Sequence, residues 1–212
     1  MVTELTSGIT ANSAPEGIVT GPDGNLWFAE HSHDAIGRIT PSGVATEFTT
    51  GITAGAHPTG ITAGPDGNLW FTEEGTAAIG RITTAGVVTE FTSGINSSSQ
   101  PFRITAGPDG NLWFTEAGHN AVGMITTAGV VTEFTSGITA SSIPSGIVTG
   151  PDGNVWFAQQ GSNQVASITT GGPGEQVPEA AWAGIAAAGV ALMFGVLWGL
   201  RRRRSARDSA AV

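Results

Sequence analysis

The sequence predicts an all-β propeller built from four-stranded antiparallel blades, and three observations carry that prediction. The string Gly-Pro-Asp-Gly-Asn-(Leu/Val)-Trp-Phe begins at Gly21, Gly64, Gly107 and Gly150, which sets Trp27, Trp70, Trp113 and Trp156 at a constant period of 43 residues. A period in the forties belongs to propeller blades or to two-helix repeats. Each unit is rich in Thr, Ile, Val, Trp and Phe, in short runs split by Gly and Pro-Asp-Gly, and that composition favours strands over helices.

The second unit shows the four strands in order. Gly60–Ala63 reads as the first strand, Leu69–Glu73 as the second, Ala78–Thr83 as the third and Val87–Thr92 as the fourth. Between the first two, Pro65-Asp66-Gly67-Asn68 is a tight turn: proline presets φ, aspartate caps its own backbone and glycine accepts a positive φ. Within the second strand Leu69 and Phe71 face one way and Trp70 the other. Both faces are therefore apolar, as a blade packed between two others requires.

The chain opens on part of a repeat. Met1-Val2-Thr3-Glu4-Leu5-Thr6-Ser7-Gly8 aligns with Val87-Val88-Thr89-Glu90-Phe91-Thr92-Ser93-Gly94, a fourth strand. The last unit runs through Val165–Thr169 and reaches Gly171-Gly172-Pro173-Gly174 where its own fourth strand belongs. Two expectations follow. Either the first strand completes the last blade and closes a four-bladed ring, or the start lies inside a longer gene with further blades upstream. Met1 falls where other repeats carry Val44, Val87 and Val130, which favours the second. So does the lack of a basic, apolar export signal in residues 1–10.

Charge is divided along the chain, which has no lysine, no cysteine and a formal net charge of −9. Up to Glu179 the balance is −13 and beyond it +4. A nucleic-acid partner is excluded for the repeat region, because phosphates demand basic residues there. Disulfide and thiolate chemistry are excluded outright.

The domain plan is a propeller over residues 1–170, a Gly/Pro linker over 171–179, a transmembrane helix over 180–200 and a basic cytoplasmic tail over 201–212. Ala180–Leu200 contains no charge and carries Trp182 and Trp198 near its ends. At about 1.5 Å per residue such a helix crosses a hydrocarbon core of roughly 30 Å. Arg201–Arg204 follow directly, so the positive-inside rule places the C-terminus in the cytoplasm and the propeller outside. Val177-Pro178-Glu179, the apolar span and the arginine cluster also resemble an exosortase-type sorting signal of bacterial surface proteins, although Ala180 stands where that motif has a second proline.

The repeat itself resembles the virginiamycin B lyase (streptogramin lyase) family. Leu69–Glu73 followed by Ala78–Thr83 carries the resemblance, and Leu26–Glu30 with Ala35–Thr40 repeats it. The resemblance implies a propeller of seven blades. It also implies a Mg²⁺-dependent carbon-oxygen lyase that opens a cyclic depsipeptide antibiotic by elimination at its ester. In the family one blade carries Glu-x-His, with a second Glu 14 residues beyond that histidine in the Trp-Phe motif; the histidine is the base and the glutamates hold magnesium. Here the histidine position holds Glu16, Thr59, Phe102 and Ser145. The first-glutamate position holds Ala14, His57, Gln100 and Ile143. The distal glutamate is kept as Glu30, Glu73 and Glu116, with Gln159 in the fourth unit.

Two readings of these acids stay open. Repetition around an axis would bring Glu30, Glu73 and Glu116 to one height as a metal-binding ring, with Glu16 and His57 beside it on the ligand face. Alternatively, each ends a strand in solvent. His31, His33 and Asp34 form a further candidate metal loop, and His119 is a polar loop residue at the equivalent turn. Glu4, Glu47, Glu90 and Glu133 are expected on exposed rim strands, with Arg38 and Arg81 paired to such acids. The function expected is a membrane-anchored, extracytoplasmic module binding a small molecule or a surface protein. The alternative is a lyase, or a related hydrolase, whose catalytic blade is missing from these four.

Overall fold

A computed structural model describes residues 2–170 of the chain. Fifteen strands form four antiparallel sheets in consecutive order, with no crossover between sheets. The first blade holds β1 (Pro15–Thr20), β2 (Leu26–Glu30), β3 (Ala35–Ile39) and β4 (Ala45–Phe48). The second holds β5 (Pro58–Ala63), β6 (Leu69–Glu73), β7 (Ala78–Ile82) and β8 (Val88–Phe91). The third holds β9 (Pro101–Ala106), β10 (Leu112–Glu116), β11 (Ala121–Ile125) and β12 (Val131–Phe134). The fourth holds β13 (Pro144–Thr149), β14 (Val155–Gln159) and β15 (Gln164–Ile168), with a single 3-10 turn at Gln160–Ser162.

The strands match those the sequence predicts to within one or two residues at their ends; β5 starts at Pro58, two residues early, and a register irregularity falls between Pro58 and Ile61. The Gly-Pro-Asp-Gly-Asn turn owes its constancy to three bonds. In the second blade Asp66 Oδ1 accepts from Trp70 Nε1 at 3.0 Å and from the Asn68 N–H at 3.2 Å, while Oδ2 accepts from Asn68 Nδ2 at 2.8 Å. The aspartate thus ties the turn to the buried tryptophan that follows it. In the third strand, Gly80 lies opposite Phe71, and a Cβ there would fall 2.0 Å from the phenylalanine ring. The glycine of Ile-Gly-Arg-Ile is the seat of the neighbouring strand's aromatic ring.

Blades pack by one rule. Trp27, Ala29 and Ile36 of the first blade bury against Ile61, Leu69, Phe71 and Ile82 of the second. Trp70 and Ile79 meet Ile104, Leu112, Phe114 and Ile125. Trp113 and Val122 meet Val155 and Phe157. Polar links cross the same joints: the Thr72 hydroxyl accepts from the Gly60 N–H at 2.8 Å and donates to the Phe102 carbonyl of the next blade at 2.9 Å. First strands of consecutive blades touch one another (β1 with β5, β5 with β9, β9 with β13), so they line the inside of the array.

Two expectations need correction. The N-terminal segment does not complete the last blade: Val2–Thr6 is not a strand, and the fourth sheet has three strands among the described residues. The segment instead stays on the first blade, where Glu47 accepts the backbone N–H and hydroxyl of Thr10. Arg38 and Arg81 do not pair with acids. The Arg38 guanidinium stacks 5.5 Å from Trp27 and 5.3 Å from Phe48 and donates to the Thr84 carbonyl of the second blade at 3.2 Å. Arg81 repeats this over Trp70 and Phe91, donating to the Thr127 carbonyl. Cation–π contact and a neighbouring carbonyl outcompete exposed carboxylates here.

The expected linker at 171–179, membrane helix at 180–200 and basic tail at 201–212 lie outside the described residues. Among the described residues no helix is long and apolar enough to cross a membrane.

Candidate functional site

Loops joining second to third strands in the first three blades, together with those leading into β5 and β9, frame an open pocket of about 550 Å³. Its lining comes from three consecutive blades: His31 from the first, His57 and Glu74 from the second, and Ser97, Ser98 and Gln100 from the third. The imidazoles of His31 and His57 stack at 4.7 Å with an interplanar angle of 17°. His31 Nε2 lies 3.9 Å from Glu74 Oε2, and His57 Nδ1 lies 3.0 Å from the His31 carbonyl oxygen.

Asp34 builds this arrangement from the first blade. Its Oδ2 accepts the Gly55 N–H at 2.7 Å and its Oδ1 accepts the His57 N–H at 2.9 Å. Burial pushes the Asp34 carboxyl up, but those two N–H groups and the nearby histidines outweigh it and hold the group below the ordinary value. The clamp holds His57 in the left-handed region, at φ 50°. Non-glycine residues there are strained and need such support. Ala14, Gln100 and Ile143, at the same repeat position, share that conformation at φ 51°, 47° and 49°. In the third blade Asn120 replaces the aspartate, its Oδ1 accepting the Ser142 N–H at 2.7 Å and the Ile143 N–H at 3.3 Å on the loop leading into the fourth.

The structure places the other candidates differently from either open reading. Glu30, Glu73 and Glu116 are each fully buried, neither lining an axis nor ending in solvent. Each sits within its own blade beside a fourth-strand acid: Glu30 by Glu47, Glu73 by Glu90 and Glu116 by Glu133. Burial, reinforced by the neighbouring carboxylate, pushes Glu30 up to about 7 and Glu73 and Glu116 up to about 8. Glu73 and Glu116 therefore hold a proton at neutral pH, and Glu30 is about half protonated there. The fourth-strand acid of each pair acts as a loop clasp: Glu90 accepts the Thr53 N–H and hydroxyl at 2.6 Å each, and Glu133 accepts the Asn96 N–H at 2.6 Å. Glu47, Glu90 and Glu133 are thus clasps inside the fold rather than an exposed rim. The fourth blade supports the protonated reading, because Gln159, a neutral isostere, fills the same buried place.

Glu16 pairs with Arg103 at 3.4 Å, linking the first strands of the first and third blades, and does not line the pocket. His33 lies 3.7 Å from Glu47 Oε2, and His119 lies 3.9 Å from Glu133 Oε2, so each backs a clasp. Among the described residues no group of three His, Cys, Asp or Glu side chains is placed to hold a metal ion. A magnesium site of the lyase kind does not fit these four blades: the distal glutamates are turned into the blade interior, and the first-glutamate position carries Ala14, His57, Gln100 and Ile143. The sequence pointed to His57 and, as part of a separate metal loop, to His31 and Asp34, but not to their meeting, nor to Glu74 or the serines beside them. The positive φ shared by every residue preceding a first-strand proline has no sequence signature, since a residue before proline ordinarily favours extended backbone.

A blade type, a radial packing rule and a loop-face pocket define a propeller of one particular kind. Residues 3–192 match the virginiamycin B lyase family, and the chain belongs to it. Virginiamycin B lyase from Staphylococcus aureus is 41% identical, with a TM-score of 0.73 over 77% of this chain and 55% of that one. A streptogramin B lyase structure is 38% identical, with a TM-score of 0.72 over 76% of this chain and 53% of that one. A catalytically inactive variant of the S. aureus enzyme, solved with quinupristin, is 41% identical, with a TM-score of 0.72 over 76% and 54%. The chain thus spans about half the length of these relatives. A protein described as a putative gluconolactonase shares the fold at 17% identity and a TM-score of 0.61. No curated protein sequence matches the chain.

Proposed function

We propose that the chain is a binding module of the virginiamycin B lyase blade type. It takes a polar small molecule or a surface protein at the loop-face pocket, and segment 180–200 holds it outside a bacterial membrane. The observation that carries this reading is the pocket: His31, His57, Glu74, Ser97, Ser98 and Gln100 bring donors and acceptors from three blades to one cavity. His57 and Gln100 stand where the family places its first glutamate, while the other acids serve as internal clasps. One relative has been solved with quinupristin, which makes that compound the first ligand to try.

The test is calorimetric titration of quinupristin into the full chain, with and without Mg²⁺, followed by mass spectrometry of the recovered ligand. The reading expects saturable binding, ligand recovered unchanged, and affinity lowered about 10-fold or more by His57→Ala, a loss of about 1.4 kcal/mol. Absence of binding sinks this ligand for the pocket, and a ligand opened at its ester replaces the module with an enzyme. Proteolysis of intact cells reports the side of the membrane: loss of the propeller supports display outside.

The second reading is that enzyme, a lyase of the streptogramin type or a related hydrolase. Identity of 41% to the S. aureus enzyme favours it. It requires a base and a first metal ligand from a blade other than these four.

A further inference from the structure

We infer that the joint between the second and third blades is a carboxylate-binding subsite of the loop-face pocket, where a ligand oxygen takes the place of a side chain that the protein itself supplies at the joints on either side. The inference rests on the reading of that pocket as a binding site and names the chemistry of what it takes. At the first joint Asp34 accepts the Gly55 and His57 N–H groups. At the third, Asn120 Oδ1 gathers the Ser142 N–H at 2.7 Å, the Ser142 hydroxyl at 2.8 Å and the Ile143 N–H at 3.3 Å. The middle joint has Ala77 at this position. The backbone does not differ: Asp34, Ala77, Asn120 and Asn163 all lie in the left-handed region, at φ 48°, 50°, 58° and 55°. Asp and Asn ease that conformation with a side-chain oxygen, which alanine lacks.

The donors at the middle joint show the omission. The Gln100 N–H is the counterpart of those of His57 and Ile143, and among the described residues no acceptor meets it. Ser99 is the counterpart of Ser142; it is fully buried, and its hydroxyl has no hydrogen-bond partner among the described residues. At the same position in the first repeat the Ser13 hydroxyl reaches the buried Glu30 at 3.3 Å, a bond that Ser99 does not make with Glu116. The Ser98 N–H, counterpart of that of Gly55, is met locally by Asn96 Oδ1 at 3.0 Å. Two donors are thus left for one oxygen. A buried hydroxyl without a partner carries a desolvation cost that an incoming acceptor removes.

The repeat also selects the ligand. The side chain that Asp34 contributes is a carboxymethyl group, so acetate beside Ala77 reproduces it in two pieces. The frame suits the ionised form. At the first joint burial pushes the Asp34 carboxyl up, yet the N–H groups and the nearby histidines hold it below the ordinary value. Access comes from the pocket, whose wall runs along this loop through Ser97, Ser98 and Gln100 to Gly118. Glu74, the acid in the lining, lies 3.9 Å from His31 Nε2, on the side of the first joint.

Amide NMR of the full chain in detergent, titrated with sodium acetate against sodium chloride at equal ionic strength, tests the subsite. The expected result is a saturable shift of the Gln100 N–H and none at Ile143, whose N–H Asn120 already holds. Ala77→Asp installs the missing group and should weaken the acetate response at least about 10-fold while slowing exchange of the Gln100 N–H. Ala77→Asn, the arrangement of the third joint, should do the same without adding charge. An acetate shift no larger than that of chloride overturns the inference, as does a response that both variants leave unchanged. Inorganic phosphate binding more tightly than acetate overturns the carboxylate class. Acetylglycylglycine separates the two sources of such a group: tighter binding than acetate assigns a polypeptide end, weaker binding a small acid, and both support a carboxylate. A pocket that binds quinupristin but not acetate keeps its function and loses the subsite; one that binds acetate alone keeps the subsite.

Discussion

Glu73 lies fully buried against Glu90; it accepts the Thr76 hydroxyl at 2.8 Å, while Glu90 accepts the N–H and hydroxyl of Thr53. The pair shares one proton, which makes the fold an acid-favouring structure. Glu73 is pushed up to about 8 when folded, against an ordinary value of 4.5. The folded state then binds more protons than the unfolded chain between those values, so stability falls as pH rises from about 4.5 to 8 and is flat beyond. Glu30 and Glu116 act in the same direction.

Thermal unfolding followed from pH 5 to pH 9 is therefore expected to show a falling melting temperature up to about pH 8. Glu73→Gln keeps a neutral side chain in place at every pH, as Gln159 does in the fourth blade. The variant should match wild type near pH 5 and exceed it above pH 8. A variant less stable than wild type at both values would show that Glu73 is needed as a carboxylate.

The Asp–Trp turn bond makes a graded prediction. Asp66→Ala strands the Trp70 N–H and frees the turn, at a cost of about 1–3 kcal/mol. Asp152→Ala removes the same bonds around Trp156, which is partly in solvent, and should cost less. Urea unfolding of both variants measures the difference; equal losses would mean that the turn, rather than the tryptophan, sets the cost.

Thr72 tests the joint between blades. Thr72→Val keeps shape but leaves the Gly60 N–H without its acceptor, and about 1–3 kcal/mol is the expected loss. The first blade has Ala29 at this position, so its joint with the second blade lacks this hydroxyl link and keeps apolar contact there. Ala29→Val should therefore show overpacking rather than a lost bond. Hydrogen exchange at the Gly60 amide reads the Thr72 effect directly.

Asp34 tests the pocket. Asp34→Ala removes the acceptor of both the Gly55 and the His57 N–H. Exchange at those two amides should accelerate at least about 10-fold, and affinity for any pocket ligand should fall with it. Asp34→Asn, which keeps an acceptor as Asn120 does in the next-but-one blade, should recover most of the protection.

The repeat frame was legible in the sequence because the period never breaks and Pro-Asp-Gly-Asn announces each turn. Side-chain alternation in Leu69–Glu73 also gave both buried faces of a blade. The destination of the glutamates was not legible. Glu73 stands at a strand end, where a charge usually meets water, and only the clasp formed by Glu90 and Thr53, drawn from the far end of the blades, shows why it is buried. The stacking of His31 on His57 was not legible for the same reason: they are 26 residues apart and meet through a loop that Asp34 clamps.

The unbroken 43-residue period has a genetic consequence. Every joint uses the same positions, so a crossover between misaligned repeats adds or removes one complete blade and leaves each new joint chemically like those it replaced. The number of blades in this lineage is then a quantity that recombination can change in one event, without the coordinated core substitutions that an ordinary domain would require. Selection on ring size acts on copy number first and on individual side chains afterwards.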